Sequence, residues 1–303
     1  MCTMADETNK AIHAITEHAR KITQGSYQNV DDLLQYTDET KNPPEIAELA
    51  ETFGLMSVKV EAREFALQQK NQELSDSLQL RTVASSLLLW FAIGVSLYIF
   101  LLAFFYQPGL LDASKPVLIR WFGLIFVLSQ VVLMILLIRK SGFPLSAYGV
   151  TLNNWKKSLK EALLASGVIV AGLVVLKIVM IHSETLLKGK SLIAFEEFRT
   201  LFLYTYIISA PLQEFLVRGV LQSSSELILV GKRKVFWSVI AVSLIFGAIH
   251  TVYSLSFALM TFSISLLWGW LYSRHHNLIG VVICHLLMGL AFILLGFWEI
   301  IAF

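Results

Sequence analysis

The order of apolar and polar residues divides the chain into two parts. From Ile46 the apolar positions run Ile46, Leu49, Phe53, Met56, Val60, Leu67 and Leu74, the three-and-four spacing of a heptad helix that packs along one seam. Arg63 and Lys70 stand where that seam would take leucine, which weakens packing but helps to set register. A shorter helix is expected before it, on Ile12, Ile15, Ala19 and Ile22, with Gly25 and Pro43-Pro44 breaking the chain between the two. Two parallel helices with a long connector is the simplest layout. Beyond residue 83 the period gives way to long apolar runs at 84–106, 117–138, 162–181, 198–221, 235–250, 253–272 and 278–301. A helix of about 20 predominantly apolar residues spans a bilayer. Seven spans are therefore expected, the fifth short, and the fold class is an all-α, polytopic membrane helix bundle preceded by a helical module.

Composition agrees. Hydrophobic residues make up 56% of the chain and the mean hydropathy is +0.66, far from soluble usage. Charge sharpens the boundary, because residues 1–82 hold 8 Lys+Arg against 14 Asp+Glu and residues 83–303 hold 16 against 8. An acidic module at 1–82 thus joins a basic membrane domain at 83–303. The overall +2 averages the two and gives no reason to expect nucleic acid as a partner. Cys2 and Cys284 lie in unlike surroundings and predict no disulfide framework, Cys284 reading as a small core residue. The first ten residues, MCTMADETNK, contain no apolar stretch of the signal-peptide kind, so the N-terminus is expected in the cytoplasm. Loop charge supports that orientation. The inside loops would carry Arg139, Lys140, Lys156, Lys157, Lys160, Lys232, Arg233, Lys234 and Arg274, and the outside loops only Lys115, Lys188 and Lys190, with Arg120 and Arg199 just inside the outer span ends. Lys177, near the outer end of the third span, is expected to snorkel.

The segments IHAITEHARKITQGSYQ (12–28) and PPEIAELAETFGLMSVKV (43–60), with Glu45 opening the second helix, make the N-terminal module resemble a HAMP domain, the parallel four-helix signalling linker of bacterial membrane receptors. The resemblance covers roughly 50 residues and rests mostly on heptad positions. It implies a homodimer, since a HAMP unit needs two chains to complete four helices, and it points to a bacterial inner membrane. An ordinary dimeric coiled coil would use the same heptads.

The chemistry concentrates in the membrane part. Gln213, Glu214 and Arg218 fall in the fourth run, His250 ends the fifth, and His285 lies in the seventh. Ionisable groups at hydrocarbon depth are costly and mark functional sites by default. Glu214 and Arg218, four apart on a helix, share a face and can pair, whereas Gln213 points about 100° away from Glu214. Each residue also has a bland reading: a buried ion pair that orients a helix, and histidines bonded to backbone carbonyls. Their coincidence on three of the last four spans argues against it. A carboxylate and a histidine can hold and deprotonate a water while another donor stabilises an oxyanion. Glu214, His250 and His285 could instead bind zinc, although no HExxH is present. The expectation is therefore no cofactor.

Three ordered motifs make residues 84–303 strongly resemble the CPBP family, the CAAX-protease and bacteriocin-processing (Abi) group of intramembrane proteases. Gln213-Glu214-Phe-Leu-Val-Arg218-Gly219 looks like the family's Glu-Glu-x-x-x-Arg-Gly. Phe246-Gly-Ala-Ile-His250 is its Phe-x-x-x-His, and His285-Leu-Leu-Met-Gly289 looks like its His-x-x-x-Asn. The run WGWLYSRHHNLIGVVICH (268–285) has the family's spacing before the last histidine. The resemblance implies hydrolysis of a membrane-associated protein or peptide, with the first glutamate and the second-motif histidine activating water and the third motif supporting the oxyanion. Two departures fall on that chemistry. Gln213 stands at the first glutamate, and an amide can orient a water but cannot take its proton. Gly289 stands at the asparagine and brings no side-chain donor. Two functions follow: an endopeptidase in which Glu214 takes over as base with His250, and a protease-like protein that binds a membrane peptide or relays a signal. A transporter or receptor would give no reason for the ordered motifs.

Overall fold

The computed structural model describes residues 2–27, 31–105, 115–183, 187–196 and 201–298. Their regular structure is all helix, with no strand among them. The chain forms two compact units, Met1–Gln79 and Leu80–Phe303.

In the first unit α1 (Cys2–Thr23) and a short α2 (Asp31–Leu34) pack on the beginning of α3 (Pro44–Phe105). Ile15, Leu33 and Ala50 make the core, with Tyr36 and Phe53 against it, and His18 Nε2 lies 3.3 Å from Ser57 Oγ. These contacts advance along α1 and α3 in the same direction, so the two helices run parallel. In the connector the Asp38 carboxylate accepts from Thr40 Oγ1 at 2.6 Å and Thr40 N at 3.0 Å. The bonds from Thr40, then that from Lys41, hold its carboxyl below the ordinary value. The heptad positions Leu67 and Leu74 remain 60% and 58% exposed in the single chain.

The second unit contains the end of α3, α4 (Lys115–Ser141), α5 (Trp155–His182), α6 (Leu201–Glu214), a π-helical segment (Phe215–Gln222), α7 (Ser223–Ile228), α8 (Lys234–Ile249), α9 (Leu255–His275) and α10 (Leu278–Leu294). Five helices among the described residues are long and apolar enough to cross a membrane: Pro44–Phe104, Trp121–Ser141, Trp155–His182, Lys234–Val252 and Leu255–His275. The fourth and seventh expected spans are not among them. The fourth is divided, because Pro211 inside α6 has no N–H for the helical ladder and the helix continues from Phe215 in π geometry. The seventh appears as the shorter apolar helix α10. Its expected end at 301, like those at 106 and 198–199, lies outside the described residues.

Helix α10 packs against α5, α6 and α9, and α8 against α9. Its approach to α5 depends on Gly280, where a Cβ would lie 2.5 Å from the Ser158 carbonyl oxygen, the small-residue contact common between membrane helices. Asn277 sets where α10 begins. Its Oδ1 accepts from Ile279 N at 2.8 Å, while its Nδ2 donates to Thr151 O at 2.5 Å and Asn153 O at 3.0 Å. Arg274 and His275 reach Glu161 at 2.9 and 3.0 Å, so the basic end of α9 is tied to the first turns of α5. The core brings Leu87, Met134, Ile138, Val220, Val242, Trp268, Tyr272, Val281 and Cys284 together.

Lys177 does not snorkel. It is 1% exposed, because Leu187, Phe292, Leu295, Phe297 and Trp298 form a cluster over Leu173, Val174 and Met180 of α5 and close that end of the helix from its surroundings.

Candidate active site

A cavity of about 320 Å³ lies inside the second unit. Its walls are mostly apolar, with Phe246, Phe257, Trp268 and Phe292 prominent, and into it face Gln213, His250, His285 and Gly289 together with Tyr206 and Ser209. Gln213 lies seven residues beyond Tyr206, two turns of α6, which puts both on one helical face.

Glu214 and Arg218 are not in this wall. Both are fully buried behind it, on the adjacent face of the same helix, as the 100° step from Gln213 to Glu214 requires. Glu214 Oε2 lies 3.2 Å from Arg218 Nε, and Glu214 Oε1 lies 2.8 Å from His285 Nδ1. An ionised carboxylate only accepts, so the proton of that bond sits on His285 Nδ1. Nε2 is then the free ring nitrogen, and no group among the described residues bonds it. For Glu214 to act directly as base with His250 it would have to turn from Arg218 toward the cavity; the carboxylate instead keeps Arg218 and adds His285.

The guanidinium is held from two further helices. Arg218 Nη2 donates to Ser265 Oγ of α9 at 2.7 Å, Ser265 Oγ donates to Ser243 Oγ of α8 at 3.1 Å, and the guanidinium carbon stands 5.8 Å from the centre of the Phe246 ring. Just beyond, Gln222 Nε2 donates to Glu226 Oε1 and to Gly269 O, both at 3.0 Å. A buried charge in such surroundings is tolerated only when paired and hydrogen-bonded.

His250 opens a 3₁₀ turn (His250–Val252) at the end of α8. Its Nδ1 donates to Phe246 O at 2.7 Å, which again leaves Nε2 as the acceptor. The residue four before the histidine thus orients it, which gives the Phe-x-x-x-His spacing a geometric meaning. The His285 ring stacks on Trp268 with centroids 3.9 Å apart and meets Tyr206 edge-on at 5.8 Å. Two imidazoles with their Nδ1 atoms fixed thus border one cavity together with the Gln213 amide and the hydroxyls of Tyr206 and Ser209. Among the described residues no three His, Cys, Asp or Glu side chains converge as a metal set.

Sequence reasoning missed Tyr206, Trp268, Ser243 and Ser265. Tyr206 alone had a visible signal, its two-turn spacing from Gln213. The others act across helices.

Five helices long and apolar enough to cross a membrane, and a cavity bordered by two imidazoles with a carboxylate buried behind them, are features of a multi-pass membrane protein with a polar centre. Residues 195–291 match the family model described as Type II CAAX prenyl endopeptidase Rce1-like. All three motifs lie inside the matched segment, which supports the CPBP family and, at family level, a CAAX-protease-type membrane endopeptidase. No curated protein and no solved structure matches the chain.

Proposed function

We propose that the membrane unit is an endopeptidase that hydrolyses a peptide bond of a membrane-associated substrate with water activated by His285, Glu214 acting through that imidazole. One observation carries the reading: the 2.8 Å bond between Glu214 Oε1 and His285 Nδ1 at the edge of the cavity. His285 Nε2 takes a proton from water as the water oxygen attacks the substrate carbonyl. The imidazolium so formed is stabilised by Glu214 and returns the proton to the leaving amine. Arg218, 3.2 Å from Glu214, holds that carboxylate in place. Gln213 and His250 Nε2 hold the water by hydrogen bonds, a role for which an amide suffices. No cofactor enters these steps.

The amide at Gln213 is also the observation that favours the second reading, a protein that has lost catalysis and uses the cavity to bind a membrane segment. One experiment separates them. The chain would be reconstituted in liposomes with two fluorogenic probes, a farnesylated peptide ending in a CAAX sequence and an unmodified single-span peptide. Wild type is expected to cleave at least one, and His250→Ala to lower that rate by about 10²-fold or more. Cleavage that appears only in Gln213→Glu would reject hydrolysis by the native chain.

For residues 1–82 we propose a cytoplasmic, HAMP-like module that pairs two copies of the chain at the inner membrane and regulates the site, with all seven apolar segments crossing the bilayer. The parallel α1 and α3 and the exposed Leu67 and Leu74 support pairing. In detergent the wild type is expected to scatter light as a dimer and Leu67→Asp/Leu74→Asp as a monomer; a monomeric wild type would reject the arrangement.

A further inference from the structure

Gly289 follows His285 by one turn of α10, and the space beside it is taken. A Cβ built on Gly289 would collide with the hydroxyl and ζ carbon of Tyr206. A side chain at 289 and the phenol therefore exclude each other, and the tyrosine of α6 fills the volume that an asparagine at 289 would occupy. Tyr206 Oη donates to His285 O at 2.7 Å, and Tyr206 and Gly289 border the cavity with Gln213, His250 and His285.

We propose that Tyr206 is the oxyanion donor of this site, its phenol supplied from a different helix in place of the side chain missing at 289; the inference rests on the hydrolytic reading above. A hydroxyl hydrogen rotates about its C–O bond to suit its partner. The O–H that donates to the His285 carbonyl in the free site turns to the substrate oxygen as that oxygen gains charge, and the His285 carbonyl keeps its place in the helical ladder of α10. No proton is transferred at this step. The phenol stays neutral and stabilises charge only where it develops, the condition under which a donor raises kcat rather than lowering KM.

The test is a four-way comparison on the cleaved probe, in liposomes, with unfolding temperatures measured alongside. Tyr206→Phe keeps the ring and is expected to lower kcat by about 10² to 10³-fold, with KM within about twofold. Gly289→Asn alone, colliding with the phenol, is expected to lower both the unfolding temperature and kcat. Tyr206→Ala/Gly289→Asn takes the whole ring, ζ carbon included, from beside 289 and places an amide there, and is expected to recover at least about tenfold of the kcat lost in Tyr206→Phe. A tyrosine that only ties α6 to α10 would lower the unfolding temperature and leave kcat of the folded protein unchanged. The inference is overturned if Tyr206→Phe turns over within about threefold of wild type, or if the double variant is no faster than Tyr206→Phe. Wild type that cleaves neither probe would overturn the hydrolytic reading itself, and this inference with it.

Discussion

His285→Ala is expected to reduce kcat/KM by about 10² to 10⁴-fold, the range associated with losing a positioned general base. The protein should remain folded, because the lost ring borders the cavity and its removal leaves Glu214 still paired with Arg218 at 3.2 Å. Glu214→Gln should be intermediate in rate. Its side-chain oxygen can still accept from His285 Nδ1, so the tautomer survives, but it carries no charge to stabilise the imidazolium. Steady-state kinetics on the cleaved probe measures both. If His285→Ala keeps about a tenth of the activity or more while His250→Ala loses all of it, the base is His250 and the assignment made here is wrong.

Arg218→Ala is expected to destabilise the membrane unit by about 3–5 kcal/mol, the usual consequence of removing one partner from a buried pair. Three features place it at that end of the range. Arg218 is fully buried, its Nη2 holds Ser265 at 2.7 Å, and its loss leaves the carboxylate of Glu214 without a countercharge. Unfolding in mixed micelles with added denaturing detergent gives the value. Pairing the change with Glu214→Gln should return part of it, since the charge left unpaired is then gone. A loss under about 1 kcal/mol would mean that water enters the site and screens the pair.

Much of this architecture is legible along the chain. Ile15 and Phe53, both read from spacing, do meet in the first core, where Ala50 is buried instead of its expected neighbour Leu49, which is 40% exposed. Five of the apolar runs become membrane-length helices. Legibility fails where a residue's surroundings come from distant segments. Lys177 sits in a position that invites snorkelling, but the turn near Gly296 folds over it, with a Cβ at 296 only 3.4 Å from Lys177 Nζ. The fourth run reads as one apolar stretch, and Pro211 with the π segment after it divides that stretch.

The candidate site shows the same division at the scale of single residues. The helical period, acting through residues 213 to 218, determines that Gln213 and Glu214 diverge and that Glu214 and Arg218 converge, because both relations depend only on rotation about one axis. Nothing in that period says what each side chain meets. Glu214 and His285 are 71 residues apart and bond because α6 and α10 pack side by side, and the Tyr206 hydroxyl lies at Gly289 for the same reason. Local sequence determined which side chains share a face. Only the packing of α6, α8, α9 and α10 decided that the carboxylate would hold His285, that both imidazoles would offer Nε2, and that a glycine would leave room for a phenol.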